Sequence, residues 1–173
     1  AKKIRLRIRL NKVFKKFEIS NVVDSVDKII SLPKIKTHGQ LYLTAAVKNN
    51  FGFIVGKRKP EWHFRIGFDF DYFAKMICEL AIAINPTFTI CDGIVAMEGA
   101  GPTSGNAKEL GLILAGSDPF SIDYAISKFL DLDNNKNLVL KVAREMNIVD
   151  EKNIEIVGDS VEIIHIKPPA VIL

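Results

Sequence analysis

Apolar and polar residues alternate strictly along Ile4-Arg5-Leu6-Arg7-Ile8-Arg9-Leu10. This predicts a strand with one apolar and one cationic face, half exposed or at a sheet edge. A weaker strand pattern covers Val13 to Ile19, and the apolar run Lys28-Ile29-Ile30-Ser31-Leu32, stopped by Pro33, reads as a buried strand. Residues 33–68 are rich in Gly, Lys, Asn and His and read as loops with a short helix near 41–48. The period then becomes helical: Phe73, Met76, Ile77, Leu80, Ala81 and Ile84 share one stripe, with Asp71, Lys75 and Glu79 opposite, so a helix is expected over 71–84, ended by Asn85-Pro86. Thr87 to Asp92 reads as a strand ending at Asp92-Gly93, followed by a glycine-rich loop from Gly99 to Gly105 and a buried strand from Leu110 to Ala115. Asp118 as N-cap and Pro119 at the first helical position start a helix that runs to Leu130. Leu138, Val139, Val142, Ala143 and Met146 mark another helix. Ile154–Val157 and Val161–Ile166 read as closing strands joined through Gly158-Asp159.

Strands alternating with helices predict an α/β fold: a mixed or mostly parallel sheet flanked by helices, in three layers. Ile29, Ile90 and Ile113 are expected on buried strands of that sheet. The length, 173 residues, suits a single domain over 1–173. An apolar content of 48% excludes a disordered chain, and no apolar run is long enough for a membrane span. The basic start has no apolar stretch behind it, so it is not a secretory signal. Two cysteines, Cys78 and Cys91, cannot form a disulfide framework and lack Cys-x-x-Cys spacing; a reducing, cytoplasmic location is expected. The apolar ending Pro168-Pro169-Ala170-Val171-Ile172-Leu173 suggests part of a longer chain, or ends that pair or swap.

The net charge of +4 conceals an asymmetry. Residues 1–65 hold 16 basic and 4 acidic side chains, and residues 66–173 hold 8 and 16. The basic half suits a phosphorylated ligand, nucleic acid, an acidic surface, or the acidic half of the same chain.

The densest polar constellation is Leu32-Pro33-Lys34-Ile35-Lys36-Thr37-His38-Gly39, then Thr44, Lys48-Asn49-Asn50-Phe51-Gly52, Lys57 and His63. Lysines supply point charges and Gly-flanked backbone offers N–H groups, which together suit an anion, although a solvated lysine-rich loop has the same composition. His38 and His63 can ligate a metal or move protons, or be ordinary hydrogen-bonded histidines; their separation fits no standard zinc spacing. A second constellation runs from Asp92 to Gly105. Gly99, Gly101 and Gly105 are one residue too widely spaced for the dinucleotide fingerprint, and Pro102 removes an N–H from it. Asp92 and Glu98 remain as candidate metal ligands or bases, or as turn and capping residues. Asp123, at the edge of an apolar helical stripe, needs a partner, either a backbone N–H or a site lysine, unless it reaches solvent.

These phrases, together with Asp92-Gly93-Ile94-Val95-Ala96-Met97-Glu98-Gly99, Gly101-Pro102, Gly105 and Leu112-Ile113-Leu114-Ala115-Gly116-Ser117-Asp118-Pro119 with Asp123, resemble an uncharacterised family, the domain of unknown function numbered 362, from about Val23 to Val157. The resemblance implies association with iron–sulfur proteins and a longer chain with an N-terminal α/β part and a ferredoxin-like segment. This sequence has no Cys cluster, so no iron–sulfur cluster is expected to be ligated by this chain alone. The family is distantly similar to the N-terminal domain of lactate racemase, in which a lysine holds a nickel-pincer nucleotide and histidines ligate the metal or move protons. The order His38, Lys48, His63 is similar to the His–Lys–His order there.

The expected function is therefore binding of an anionic or metal-containing ligand in a His/Lys/Asp cleft, as a cofactor-dependent enzyme or a redox-associated module. Lys48, His38 and His63 are the candidate catalytic residues. Lys34, Lys36, Asn49, Gly99 and Gly101 are candidates for cofactor binding, and His38, His63, Asp92 and Glu98 for a metal. The expected cofactor is a divalent metal or a nucleotide-type group. The expected partners are an anionic small molecule, a redox protein or a second copy, with nucleic acid ranked low. The alternative is a non-catalytic module that docks an acidic partner or nucleic acid through its basic half.

Overall fold

The computed structural model describes residues 2–4, 14, 16–56 and 58–169. In chain order the elements are β1 (Lys2–Ile4), β2 (Phe17–Ile19), β3 (Ile30–Ser31), β4 (Lys34–His38), β5 (Tyr42–Thr44), α1 (Ala46–Asn49), α2 (Arg58–Ile66), α3 (Phe70–Ile84), β6 (Phe88–Glu98), β7 (Asn106–Gly116), α4 (Pro119–Phe129) and α5 (Leu138–Glu145). β3 and β4 run in succession along one edge of β6, parallel to it, and β7 lies antiparallel along the other. β5 folds back antiparallel onto β4. The sheet is therefore mixed, and the fold is of the expected α/β class, consistent with a three-layer arrangement.

The helices form where periodicity and caps agree. α3 is closed by Asp69, which accepts from Tyr72 N at 2.8 Å, and by Asn85 in the left-handed region at φ 46°. In α4 the Asp118 carboxylate accepts from Phe120 N and Ser121 N, with Pro119 opening the helix as expected. α5 is capped by Asn137. Two clusters make the core. One joins the sheet to α4 through Ile35, Leu43, Cys91, Ile122 and Ile126. The other joins β2, α3 and α5 through Phe17, Phe73, Leu80, Val139 and Val142. Phe73 is fully buried, and truncating such a side chain to Ala costs about 3–5 kcal/mol.

Several expectations are corrected. Residues 33–68 are not mainly loop: they form β4, β5, α1 and α2, and the helix expected near 41–48 is replaced by β5 followed by α1. The strand from Thr87 does not stop at Asp92 but continues to Glu98. A bulge at Leu110-Gly111 opposite Ile94, with Gly111 at φ 65°, lets β7 follow it. Ile90 and Ile113 lie in the sheet but are 38% and 62% exposed, and Ile30 and Leu32 are also exposed. The strands are apolar on both faces; among the described residues the helices pack on the face that carries Ile35 and Cys91, with α3 and α5 as a third layer behind α1 and α4. Residues 154–157 and 161–166 form no ladder; they run extended past β7 and leave a groove of about 940 Å³ between that strand, α4 and themselves. Of the first expected strand, Ile4 closes β1, while 5–13 lie outside the described residues, as does Lys57.

Candidate functional site

The site is built on the β4–β5 hairpin and the short helix behind it. At the hairpin turn, His38 Nδ1 accepts from Gln40 N and Leu41 N, both at 3.1 Å. A neutral imidazole that accepts at Nδ1 carries its proton on Nε2, so His38 offers a donor. Burial, then Lys48 and His63, push its pKa down to about 3, so it stays neutral. Thr44 pairs with Lys36 across the hairpin, and the chain turns at Ala45 into α1, which carries Lys48 and Asn49.

α1 is only one turn long and needs an external anchor. Asp123, on α4, supplies it: Oδ1 accepts from Ala46 N at 2.7 Å and Oδ2 from Val47 N at 3.2 Å. The partner anticipated for this carboxylate is thus the backbone N–H pair at the start of α1. Burial raises the Asp123 pKa to about 7, and the two backbone N–H groups oppose that rise. At the other end, Asn50 Nδ2 donates to Ala46 O and Val47 O. Asn49 donates to Ser31 Oγ at 2.9 Å and ties α1 to β3.

Lys48 is largely removed from water. Its Nζ lies 5.8 Å from the centre of the Phe51 ring, and that ring packs edge-on against His63. His63 also packs on Phe73, with ring centres 5.0 Å apart. Burial first, then Lys59 and Lys36, lower the Lys48 pKa to about 8. His63 is lowered too, by burial and then by Lys48. Among the described residues no carboxylate lies within ion-pair distance of Lys36, Lys48 or Lys59. Thr44 Oγ1 and Asn50 Oδ1 are buried without a hydrogen-bond partner.

Lys48 is therefore the hub: it is close enough to act electrostatically on His38 and His63, and Lys59 and Lys36 act on it. Lys59 was not among the sequence candidates because α2 read as loop; its one signal was the basic run ending at Lys59, followed by Pro60-Glu61. The other candidates are engaged elsewhere. Lys34 donates to Asp92 at 2.6 Å and to Val95 O at 2.9 Å. Asp92 is held below the usual carboxylate range by Lys34 and by the Ile94 N–H. Glu98 accepts from Lys167 N at 2.8 Å. Gly99 and Gly101 pack on β4: Thr37 Oγ1 donates to Gly99 O at 2.9 Å, and a Cβ at Gly101 would collide with the Thr37 carbonyl. Among the described residues no group of three or more His, Cys, Asp or Glu side chains is placed to hold a metal ion.

The profile of one protein family, described as a domain of unknown function (DUF362), matches residues 2–128. The chain belongs to that family. A DUF362 chain of this kind is also 43% identical, over 120 residues, to the thylakoid-associated protein sll1697 of Synechocystis sp.; the match covers 69% of the chain and 37% of that relative, so the chain spans well under half of the relative's length. No solved structure matches. No helix among the described residues of this DUF362 chain is long and apolar enough to cross a membrane.

Proposed function

We propose that the cluster of basic side chains around Lys48 binds a small anionic ligand bearing phosphate or carboxylate groups, a nucleotide-type cofactor included. One observation carries this reading: a largely buried lysine, flanked by Lys36 and Lys59 and by two histidines whose pKa values are lowered, has no carboxylate within ion-pair distance among the described residues. Burying a charge without a counterion is costly, and proteins keep such groups where a ligand completes them. Lys48, Lys36 and Lys59 supply charge, and the His38 Nε2–H supplies a directional donor. Thr44 Oγ1 is a further unsatisfied polar atom on the strand paired with Lys36.

Calorimetry with inorganic phosphate and pyrophosphate tests this. Binding near pH 8 should take up protons, because an anion beside a half-protonated Lys48 raises its pKa. It should be lost in Lys48→Met and kept in Lys34→Ala. Absence of binding to phosphate, pyrophosphate and di- or tricarboxylates overturns the reading.

The depressed pKa favours a second reading, in which Lys48 acts as an amine nucleophile. With a pKa of about 8, roughly a tenth of the residue is uncharged at pH 7, against well under a hundredth for an ordinary lysine. Competitive acetylation read by peptide mass spectrometry should then show Lys48 half-reactive near pH 8. A module that merely docks polyanions would instead lose affinity steeply with salt and be indifferent to Lys48→Arg.

A further inference from the structure

We propose that two copies of this chain associate face to face through the uncovered side of the sheet. The register puts one set of residues on that side. Ile30 is paired with Phe88, Lys34 with Asp92, and Asp92 with Ile113. Alternation adds Leu32, Ile90 and Ile94. On the opposite side Ile35 and Cys91 are fully buried beneath α4. On the open side Leu32 is 69% exposed, Ile30 and Ile113 62%, Ile94 54%, Phe88 40% and Ile90 38%. Six large apolar side chains exposed to that degree make a patch on the order of 600 Å², at the top of the range for ordinary monomers. That approaches the ~800 Å² each partner buries in a stable complex.

The charges select the occupant. At the centre of this apolar field lies an ion pair, Lys34 and Asp92, both still nearly half exposed, while Lys36 and Glu109 lie beyond it toward the far end of β6. A lipid surface or a purely apolar helix would bury the pair with nothing to replace its water. Nucleic acid would need net positive charge, and the pair has none. A second copy brings the same two charges. Across a two-fold axis near them, Lys34 of each protomer meets Asp92 of its partner, giving four alternating charges inside an apolar ring. Two copies also share the same sheet twist, which lets their faces stack about 10 Å apart with aligned strands. The product is a double sheet with helices on both outer sides. Lys36, two residues along β4 from Lys34, also belongs to the Lys48 cluster, so the substitutions that test the association are placed away from it, at Leu32, Lys34, Asp92 and Ile113.

Sedimentation equilibrium across roughly 1–100 µM protein tests the proposal. The expected mass rises across this range toward twice 19.3 kDa. Ile113→Asp and Leu32→Asp should each raise the dimer dissociation constant by roughly a hundredfold or more, since the two-fold axis buries each new charge twice. Both substitutions are at exposed sites, so circular dichroism and phosphate binding should stay as in the parent chain. Lys34→Glu should dissociate the dimer, and the double exchange Lys34→Glu with Asp92→Lys should restore it, while mixing the double exchange with the parent chain should yield no mixed dimers. A monomeric parent chain at 100 µM overturns the proposal and shows that something other than a second copy covers the face. So does a dimer that survives both Ile113→Asp and Leu32→Asp.

Discussion

Lys34 and Lys48 lie fourteen positions apart on the same stretch of chain and end in opposite surroundings. Lys34 lies nearly half exposed on an apolar sheet face and holds Asp92 at 2.6 Å. Lys48 is largely buried behind the β4–β5 hairpin, among two histidines and two more lysines, and its pKa falls to about 8. The sheet face has its charge balanced and its apolar surface uncovered. The Lys48 cluster has aromatic neighbours, with Phe51 and Phe73 packed on His63, and among the described residues no carboxylate beside its lysines. The two proposals answer these two requirements: a second apolar surface for the first region, an anion for the second.

The sharpest way to break this contrast is to remove what holds the cluster together. Asp123→Ala leaves Ala46 N and Val47 N without acceptors inside the core. The expected loss is about 2–4 kcal/mol, a fall in thermal midpoint of roughly 5–15 °C, together with phosphate binding. Asp123→Asn should lose less and should change the pH profile. A carboxyl with a folded pKa raised to about 7 binds more protons folded than unfolded, so its contribution falls as pH rises from near 4 to 7 and is flat above that. Thermal midpoints recorded from pH 4 to 8 should show that fall in the parent chain and lack it in Asp123→Asn.

Next in size is Lys48→Met, which keeps the stem and deletes the charge. Phosphate binding should vanish while stability at pH 7 rises by up to about 3 kcal/mol, the cost implied by the lowered pKa. With its folded pKa lowered to about 8, Lys48 holds fewer protons folded than unfolded between that value and about 10.5. Its penalty is full below pH 8 and relieved above it. The gap between variant and parent should therefore shrink from pH 8 to 10.5 in denaturant titrations. A constant gap would mean that Lys48 keeps its charge at ordinary cost, and the contrast with Lys34 would fail.

How much of this was legible in the sequence depended on whether one face of an element differs from the other. α3, α4 and α5 carry a single apolar stripe and a cap residue, and their limits were readable to within two residues. β6 and β7 are apolar on both sides, so alternation did not reveal that Ile90 and Ile113 face outward. α2 is mostly polar and was read as loop, which hid Lys59. In the candidate site, His38, Lys48 and His63 stood out as scarce or charged residues beside glycines. Asp92 and Glu98 also stood out, but β6 runs on beyond Gly93 and a bulge intervenes, so their partners became Lys34 and a backbone N–H of the C-terminal segment. Asp123 was conspicuous as a carboxylate on an apolar stripe. Its partner was not, because the N–H groups it accepts from lie 76 and 77 positions away.

The smallest expected effect is that of Lys34→Ala, and it sharpens the comparison most because it changes the same residue type. In dilute protein the side chain is half in water, and exposed pairs contribute little, so the thermal midpoint should move by less than about 3 °C. Phosphate binding should be unchanged. Asp92 is held below its usual range by Lys34 first and the Ile94 N–H second. A carboxylate depressed in this way contributes above its unfolded pKa and loses that contribution as pH falls through the folded value. Parent and variant should therefore differ slightly at pH 6 and converge below pH 4. The effect should then grow with protein concentration. Once two faces meet, the same lysine leaves water, and deleting it strands the partner's carboxylate in an apolar interface, where a missing counterion costs far more than at a surface. Thermal midpoints measured at roughly 1 µM and 100 µM separate the two cases. A difference between parent and variant that is larger at the higher concentration places Lys34 in the contact between copies, and a difference that stays constant keeps the ion pair within one chain.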